Sequence, residues 1–169
     1  MKLKFLSIII FCIPFLLTGC DKQSAYRDLL KNPDKLNAAL TACASGQLAS
    51  NSENCLQAQA ARQAVLEFIE VQKIAVLKYP DIQAQMQEYQ QLMSQTNIDA
   101  AAREKIQAEL PEVNQFYFEV SEGYGKRIMQ KEIELAALKE RSDQQQIKYT
   151  EMIIQAMLAL INVNSGGEA

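Results

Sequence analysis

The stretch TACASGQLASNSENCLQAQA, residues 41–60, decides how the first part of this 169-residue chain folds. Cys43 and Cys55 enclose eleven residues that are mostly Ala, Ser and Asn. The pair could be metal ligands, a redox pair or a structural disulfide. A zinc site would need further ligands at short spacing, and the chain has no histidine and no C-x-x-C sequence. A thioredoxin-like redox pair needs its cysteines close together at a helix start, which this spacing does not provide.

The residues on both sides of this stretch are typical of two helices joined by a turn. Asn32 is the expected N-cap of the first helix, and Pro33 suits its first position. After the loop, either Ser52 or Asn54 is the expected cap of a longer second helix. The Ser, Gly and Asn residues between the helices provide turn chemistry. We therefore predict a helix-turn-helix corner.

The first twenty residues, MKLKFLSIIIFCIPFLLTGC, read as an export signal. Lys2 and Lys4 precede an apolar run of thirteen residues, which is too short to span a bilayer. The run ends in LLTGC, which resembles a bacterial lipobox and implies a diacylglycerol on Cys20. Several acyl chains hold a protein far more firmly than one myristoyl chain, which binds at roughly 10⁴ M⁻¹. Asp21 follows, and in enteric bacteria this residue retains a lipoprotein in the inner membrane.

The cysteine count favours a disulfide. Of the four cysteines, Cys12 leaves with the signal and Cys20 takes the lipid. The mature chain then keeps only Cys43 and Cys55, an even pair in an oxidising compartment. We therefore predict a Cys43–Cys55 disulfide across the corner.

The rest of the chain also reads as helical. Three segments with helical spacing follow the loop, over 53–79, 81–95 and 98–110. Pro80 and Pro111 follow the first and the third segment, and each is expected to end its helix. Asn97 or Asp99 is the expected cap of the third segment. The next segment, NQFYFEV, could alternate as a strand, but the spacing of its apolar residues fits a helix better.

Gly123 and Gly125 each cost a helix interior about 1 kcal/mol relative to Ala, so they predict a kink or a short break.

Residues 126–163 contain no Pro or Gly and predict either one long helix or an antiparallel hairpin bent near Ser142. The apolar end of this segment, MIIQAMLALINV, is expected to pack as core. Its other interpretations are a self-association surface over 147–163 or contact with the membrane surface.

The composition argues against nucleic acid and against catalysis. The net charge is −3 with no block of Lys or Arg, so the chain lacks the basic footprint of a nucleic-acid-binding protein. The absence of histidine removes the commonest general base and metal ligand. The carboxylate pairs Glu67/Glu70 and Glu119/Glu122 lie three residues apart, which solvated helix faces commonly show. We expect no enzyme activity, no cofactor and no metal.

The residues around the cysteine pair resemble the entry-exclusion lipoproteins of the EexN kind, which occur with conjugative plasmids and type IV secretion genes. The resemblance is carried by the lipobox, Tyr26, the helix start Asn32-Pro33-Asp34-Lys35-Leu36, Cys43, Asn54-Cys55, and the small residues Ala58, Ala60 and Ala61. It covers about residues 1–65. It implies a lipid-anchored, periplasm-facing protein that blocks redundant plasmid transfer by contacting the incoming transfer machinery.

We therefore expect an all-α protein, with a disulfide-clipped helix-turn-helix followed by a helical bundle or an extended helical hairpin. The predicted segments are a signal peptide over 1–19, a lipidated tether over 20–31, the disulfide-clipped corner over 32–65, a helical extension over 66–163 and a disordered tail over 164–169. The expected contact surface comprises Tyr26, Asn32, Pro33 and Asn54. The alternative functions are an accessory lipoprotein of a type IV secretion system and a periplasmic adaptor or chaperone.

Overall fold

The computed structural model describes residues 24–94 and 100–164, and within these ranges the chain forms helices and no strands. The all-α prediction is therefore confirmed. The helices are α1 over 24–31, α2 over Pro33–Ala44, α3 over Glu53–Lys78, α4 over Ile82–Met93, α5 over Ala100–Arg141 and α6 over Gln144–Asn164. Among the described helices, none combines the length and the apolar character that crossing a membrane requires.

The chain divides into two compact units. The described part of the first unit comprises residues 24–65 and 130–164, and the second unit comprises residues 66–129. Both divisions fall inside a helix, one in α3 and one in α5. The predicted extension over 66–163 is thus shared between the units, and its last third belongs with the disulfide-clipped corner.

The core of the first unit is formed by small residues of α3 and by the apolar face of α6. The buried apolar side chains there are Tyr26, Cys55, Ala58, Ala60, Ala61, Ala64, Ile147, Met152, Ile153, Ile154, Ala156, Met157, Ala159 and Leu160. Helix α6 lies beside the start of α3, since Lys148 Nζ is 3.7 Å from Glu53 Oε2. The core interpretation of MIIQAMLALINV is confirmed, and those buried side chains are not available to a second copy of the chain.

Residues 24–31, which the sequence assigned to the lipidated tether, form helix α1. Tyr26 on this helix is only 3 % exposed. Lys35 Nζ on α2 lies 2.9 Å from Asp28 Oδ1 on α1. Helix α1 is therefore part of the folded first unit.

The second unit pairs the last part of α3 with the facing part of α5 in antiparallel order. The rings of Phe68 and Tyr124 meet edge to face at 5.2 Å, and those of Tyr79 and Phe116 do so at 6.2 Å. Helix α4 contacts α5 through hydrogen bonds between side chains. In one of them, Gln85 Nε2 donates to Glu112 Oε2 at 3.0 Å. The second unit is a three-helix arrangement.

Helix α5 corrects two sequence predictions, because it continues through Pro111 and through Gly123 and Gly125. A proline removes one backbone hydrogen bond, but tertiary packing routinely overrides such local preferences. Val113 and Phe116 lie two and five residues after Pro111, and both are buried. Their burial favours the continuation of the helix past the proline.

The other helix boundaries follow the sequence. Helix α3 ends at Lys78, before Pro80. The hairpin prediction is confirmed, since Ser142 has φ 59° between α5 and α6. Asp143 Oδ1 accepts a hydrogen bond from Gln146 N at 3.1 Å and so caps α6. The predicted caps Asn97 and Asp99 lie outside the described residues, as do the signal peptide, Cys20 with Asp21, and residues 165–169 of the tail.

Candidate contact surfaces

The caps of the disulfide-clipped corner fix where its helices begin. Asn32 Oδ1 accepts a hydrogen bond from Lys35 N at 3.3 Å, and Pro33 occupies the first turn of α2, as predicted. Of the two predicted caps of α3, Ser52 takes the role, because its Oγ accepts from Cys55 N at 3.4 Å. Asn54 lies inside the first turn of α3 and is exposed.

The predicted disulfide is present and joins the last turn of α2 to the first turn of α3. The Cα atoms of Cys43 and Cys55 are 5.6 Å apart, within the usual range for a disulfide. Cys55 is fully buried. Gln59 Nε2 lies 3.4 Å from its sulfur. The bond is thus anchored in the core on the α3 side.

The loop between the two helices is held at both ends and faces outward. At its start, Ser45 N donates to Thr41 O at 2.9 Å, and Gly46 follows in the left-handed region with φ 76°. Such a glycine commonly ends a helix, because the conformation is costly for other residues. At the loop's end, Ser52 N donates to Ala49 O at 2.9 Å. The exposed residues of the loop are Ser45, Gly46, Gln47, Ala49, Ser50 and Asn51.

Of the four residues predicted to form the contact surface, one lies in the core instead. Tyr26 is buried, and burial together with the charge of Glu53 raises the pKa of its hydroxyl to about 12. Its ring packs in the core because α1 is a helix of the first unit. The spacing of Tyr26, Leu29 and Leu30 is helical and could have revealed this element. Pro33 and Asn54 are exposed, and Asn32 is half-buried.

The second unit carries an apolar cleft of about 700 Å³ that the sequence did not predict. Three helices contribute its walls, with Ile69, Gln72, Lys73, Val76 and Leu77 from α3, Ile82, Gln83 and Met86 from α4, and Phe116 and Tyr117 from α5. Leu77 is 83 % exposed and Tyr117 is 51 % exposed. Exposed large apolar residues around a concavity mark a protein-contact or ligand-binding surface.

A cluster around Glu119 fastens the end of α3 to α5 beside this cleft. Glu119 Oε2 accepts a hydrogen bond from Lys78 Nζ at 2.5 Å, and Oε1 accepts one from Tyr79 OH at 2.9 Å. The hydrogen bond from Lys78 and then that from Tyr79 lower the pKa of the Glu119 carboxyl. The same bonds raise the pKa values of Lys78 and Tyr79.

The Glu119 cluster predicts an acid-sensitive part of the stability of the second unit. The pKa of this carboxyl is lower in the folded chain than its ordinary value of 4.5. Its ionised form therefore stabilises the fold at pH values above 4.5, and this contribution disappears as the pH falls through the folded pKa. We expect Glu119→Gln to be less stable than the wild type at pH 7 and to approach it as the pH falls below 4.5. Chemical denaturation across this range measures the difference. Glu104→Gln, at an exposed position on α5, should show no such convergence, and parallel profiles for Glu119→Gln and the wild type would contradict the prediction.

The carboxylate pairs noted in the sequence have ionic partners. Glu70 pairs with Lys73 at 2.8 Å, and Glu67 Oε2 lies 3.7 Å from Arg127 Nε. Glu122 Oε1 pairs with Lys126 Nζ at 2.7 Å. Among the described residues, no group of three or more His, Cys, Asp or Glu side chains could hold a metal ion.

The chain thus presents two surfaces suited to contact with another molecule, the loop of the disulfide-clipped corner and the apolar cleft. The first lies between the two predicted helices of the corner but contains none of the four predicted contact residues, and the second depends on three helices brought together by folding. No protein-family model, no curated protein sequence and no solved structure matches the chain.

Proposed function

We propose that this protein is a lipid-anchored entry-exclusion protein that acts by contact with the conjugative machinery of an incoming plasmid. The observation that carries the proposal is the loop of the disulfide-clipped corner, which is exposed although both of its ends are fixed. A loop held in one conformation loses little entropy when a partner binds. The disulfide therefore serves contact as well as stability.

The anchor and the loop have complementary roles in this proposal. Acyl chains on Cys20 hold the protein at the membrane, with the folded units on the periplasmic side and Asp21 favouring the inner membrane. The folded part begins within a few residues of this anchor, since α1 is already helical at residue 24. The first unit, which carries the loop, therefore follows the anchor directly along the chain, and in this proposal the loop meets the transfer machinery of a donor cell on the periplasmic side.

Conjugation into recipient cells tests the proposal. Recipients that express the full chain should receive a related conjugative plasmid at a frequency at least tenfold lower than recipients without it, because bound transfer machinery is blocked. Cys43→Ala combined with Cys55→Ala should restore transfer. Asn51→Arg, which changes the loop but leaves the disulfide, should do the same.

The matched control is Gln145→Arg, which adds the same charge at an exposed position of α6 in the same unit. It should leave exclusion intact. Membrane fractionation and immunoblotting should show equal amounts of all variants. A protein that accumulates normally and lowers the transfer of no related plasmid would overturn the proposal.

The apolar cleft favours a second candidate function, that of a periplasmic adaptor or chaperone that binds an apolar segment of another protein. Leu77 dominates the exposed apolar surface of the cleft and can be changed without disturbing buried packing. Leu77→Asp would abolish an adaptor function and leave exclusion through the loop unchanged. Loss of exclusion in Leu77→Asp, with normal exclusion in Asn51→Arg, would favour the cleft. An accessory role in a type IV secretion system would instead appear as a change in transfer out of the expressing cell.

A further inference from the structure

Helix α5 carries two apolar faces in the second unit. One faces the core and comprises Val113, Phe116, Val120, Tyr124 and Ile128. On the opposite side, Phe118 is 61 % exposed and Met129 is 55 % exposed. These two residues are eleven positions apart, about three helical turns, so they share one side of α5. We refer to Phe118, Glu122, Gly125, Lys126 and Met129 as the outer stripe.

The centre of the outer stripe carries an ion pair and a glycine that has no side chain to protrude. Glu122 and Lys126 form an exposed ion pair at 2.7 Å, with half or more of each side chain accessible. A Cβ atom added at Gly125 would meet no other atom within 4 Å, so the helix is open to the outside at this point. Another helix could therefore approach the α5 backbone closely between the two apolar residues.

We propose that the outer stripe binds a second copy of this chain, with the two α5 helices antiparallel about a two-fold axis that crosses the outer stripe at the level of residue 124. In this arrangement Phe118 of one copy faces Met129 of the other. Glu122 of one copy faces Lys126 of the other, and the symmetry repeats both contacts. Gly125 lies near the axis, where the two backbones come closest.

We assign a second copy of the chain to this surface because two outer stripes that run antiparallel are complementary to each other. A two-fold interface uses the same patch on both subunits, so each residue type must meet its complement on the symmetric patch. An apolar residue stands at each end, and one acidic and one basic residue stand at corresponding distances from the centre. The ion pairs fix the register, since a shift along the helix would bring like charges together.

This surface differs from the self-association surface that the sequence indicated over 147–163. The apolar side chains there form the core of the first unit. The outer stripe is short, so its dimer is expected to be weaker than one with an interface of standard size.

Charge reversal tests the pairing directly. The full chain, purified in a mild detergent, should sediment as a monomer–dimer equilibrium over a concentration series. Glu122→Lys alone and Lys126→Glu alone should each be monomeric, because each places like charges opposite one another in the symmetric pair. An equimolar mixture of the two variants should restore the dimer, and a tag on one variant should co-purify the other.

The mixing experiment separates pairing from helix stability, because the ion pair within each helix stays broken in both variants. The matched control is Glu151→Lys, which removes an ion pair of similar exposure with Lys139 outside the outer stripe and should leave the dimer intact. Phe118→Ser with Met129→Ser should reduce dimerisation at least tenfold. A wild type that is monomeric throughout, or a mixture that stays monomeric, would overturn the proposal.

Discussion

Reduction of the Cys43–Cys55 disulfide should lower the free energy of unfolding of the first unit by about 3 kcal/mol. The bond closes a loop between residues that are twelve positions apart, and it limits the conformations of the unfolded chain. Helix α2 gains little from other sources, because none of its residues is buried. Denaturation of the wild type with and without a dithiol reductant, at one pH and one temperature, measures the loss.

A variant without cysteines provides the control for this prediction. Cys43→Ala with Cys55→Ala should match the reduced wild type and should not respond to the reductant. Alanine is preferred to serine at position 55 for this measurement, because the side chain there is fully buried and a hydroxyl would add an unpaired polar group. Equal stability of the oxidised and reduced wild type would contradict the prediction.

Gly123→Ala should destabilise the second unit by about 1–3 kcal/mol, although alanine favours helices. A Cβ atom at this position would lie 2.8 Å from Val71 Cγ1, closer than packed atoms allow. Either α3 and α5 would separate or Val71 would leave its preferred position. The aromatic contact of Phe68 with Tyr124 lies beside this site and would be disturbed by the same movement.

Gly125→Ala provides the matched comparison, two residues away on the same helix. In a single copy of the chain its added Cβ atom would meet nothing within 4 Å, so only the helix preference of about 1 kcal/mol acts there, and this change should stabilise the monomer. Thermal or chemical denaturation of both variants should therefore show shifts of opposite sign. Shifts of the same sign would show that the close approach of α3 and α5 at Gly123 does not determine stability.

The sequence was most informative where a local signal determines structure. Asn32 and Pro33 marked the start of α2, and Ser142 marked the bend between α5 and α6, because caps and turns depend on a few adjacent residues. The disulfide could also be predicted, since the cysteine count left only one pair. At this end of the chain, helix α1 was missed and, with it, the position of Tyr26 in the core.

The predictions failed where the structure depends on contacts between residues that are far apart in the sequence. Pro111 and Gly123 act as helix breakers locally, but packing against α3 and α4 keeps α5 continuous. For Gly123, the close contact with Val71 is the reason for the glycine, and no local pattern reveals a contact fifty residues away. The cleft around Phe116 was missed for the same reason, since its walls come from three helices.

The first unit is assembled from both ends of the described chain, and this determines when it can fold. Synthesis delivers the cysteines and the alanine-rich start of α3 first, whereas α6 with Met157 and Leu160 is completed last. Until α6 arrives, the small residues of α3 lack the apolar face of α6 that covers them, and such long-range contacts are slow to form. Loss of α6 would leave a corner that carries its disulfide but cannot complete its core.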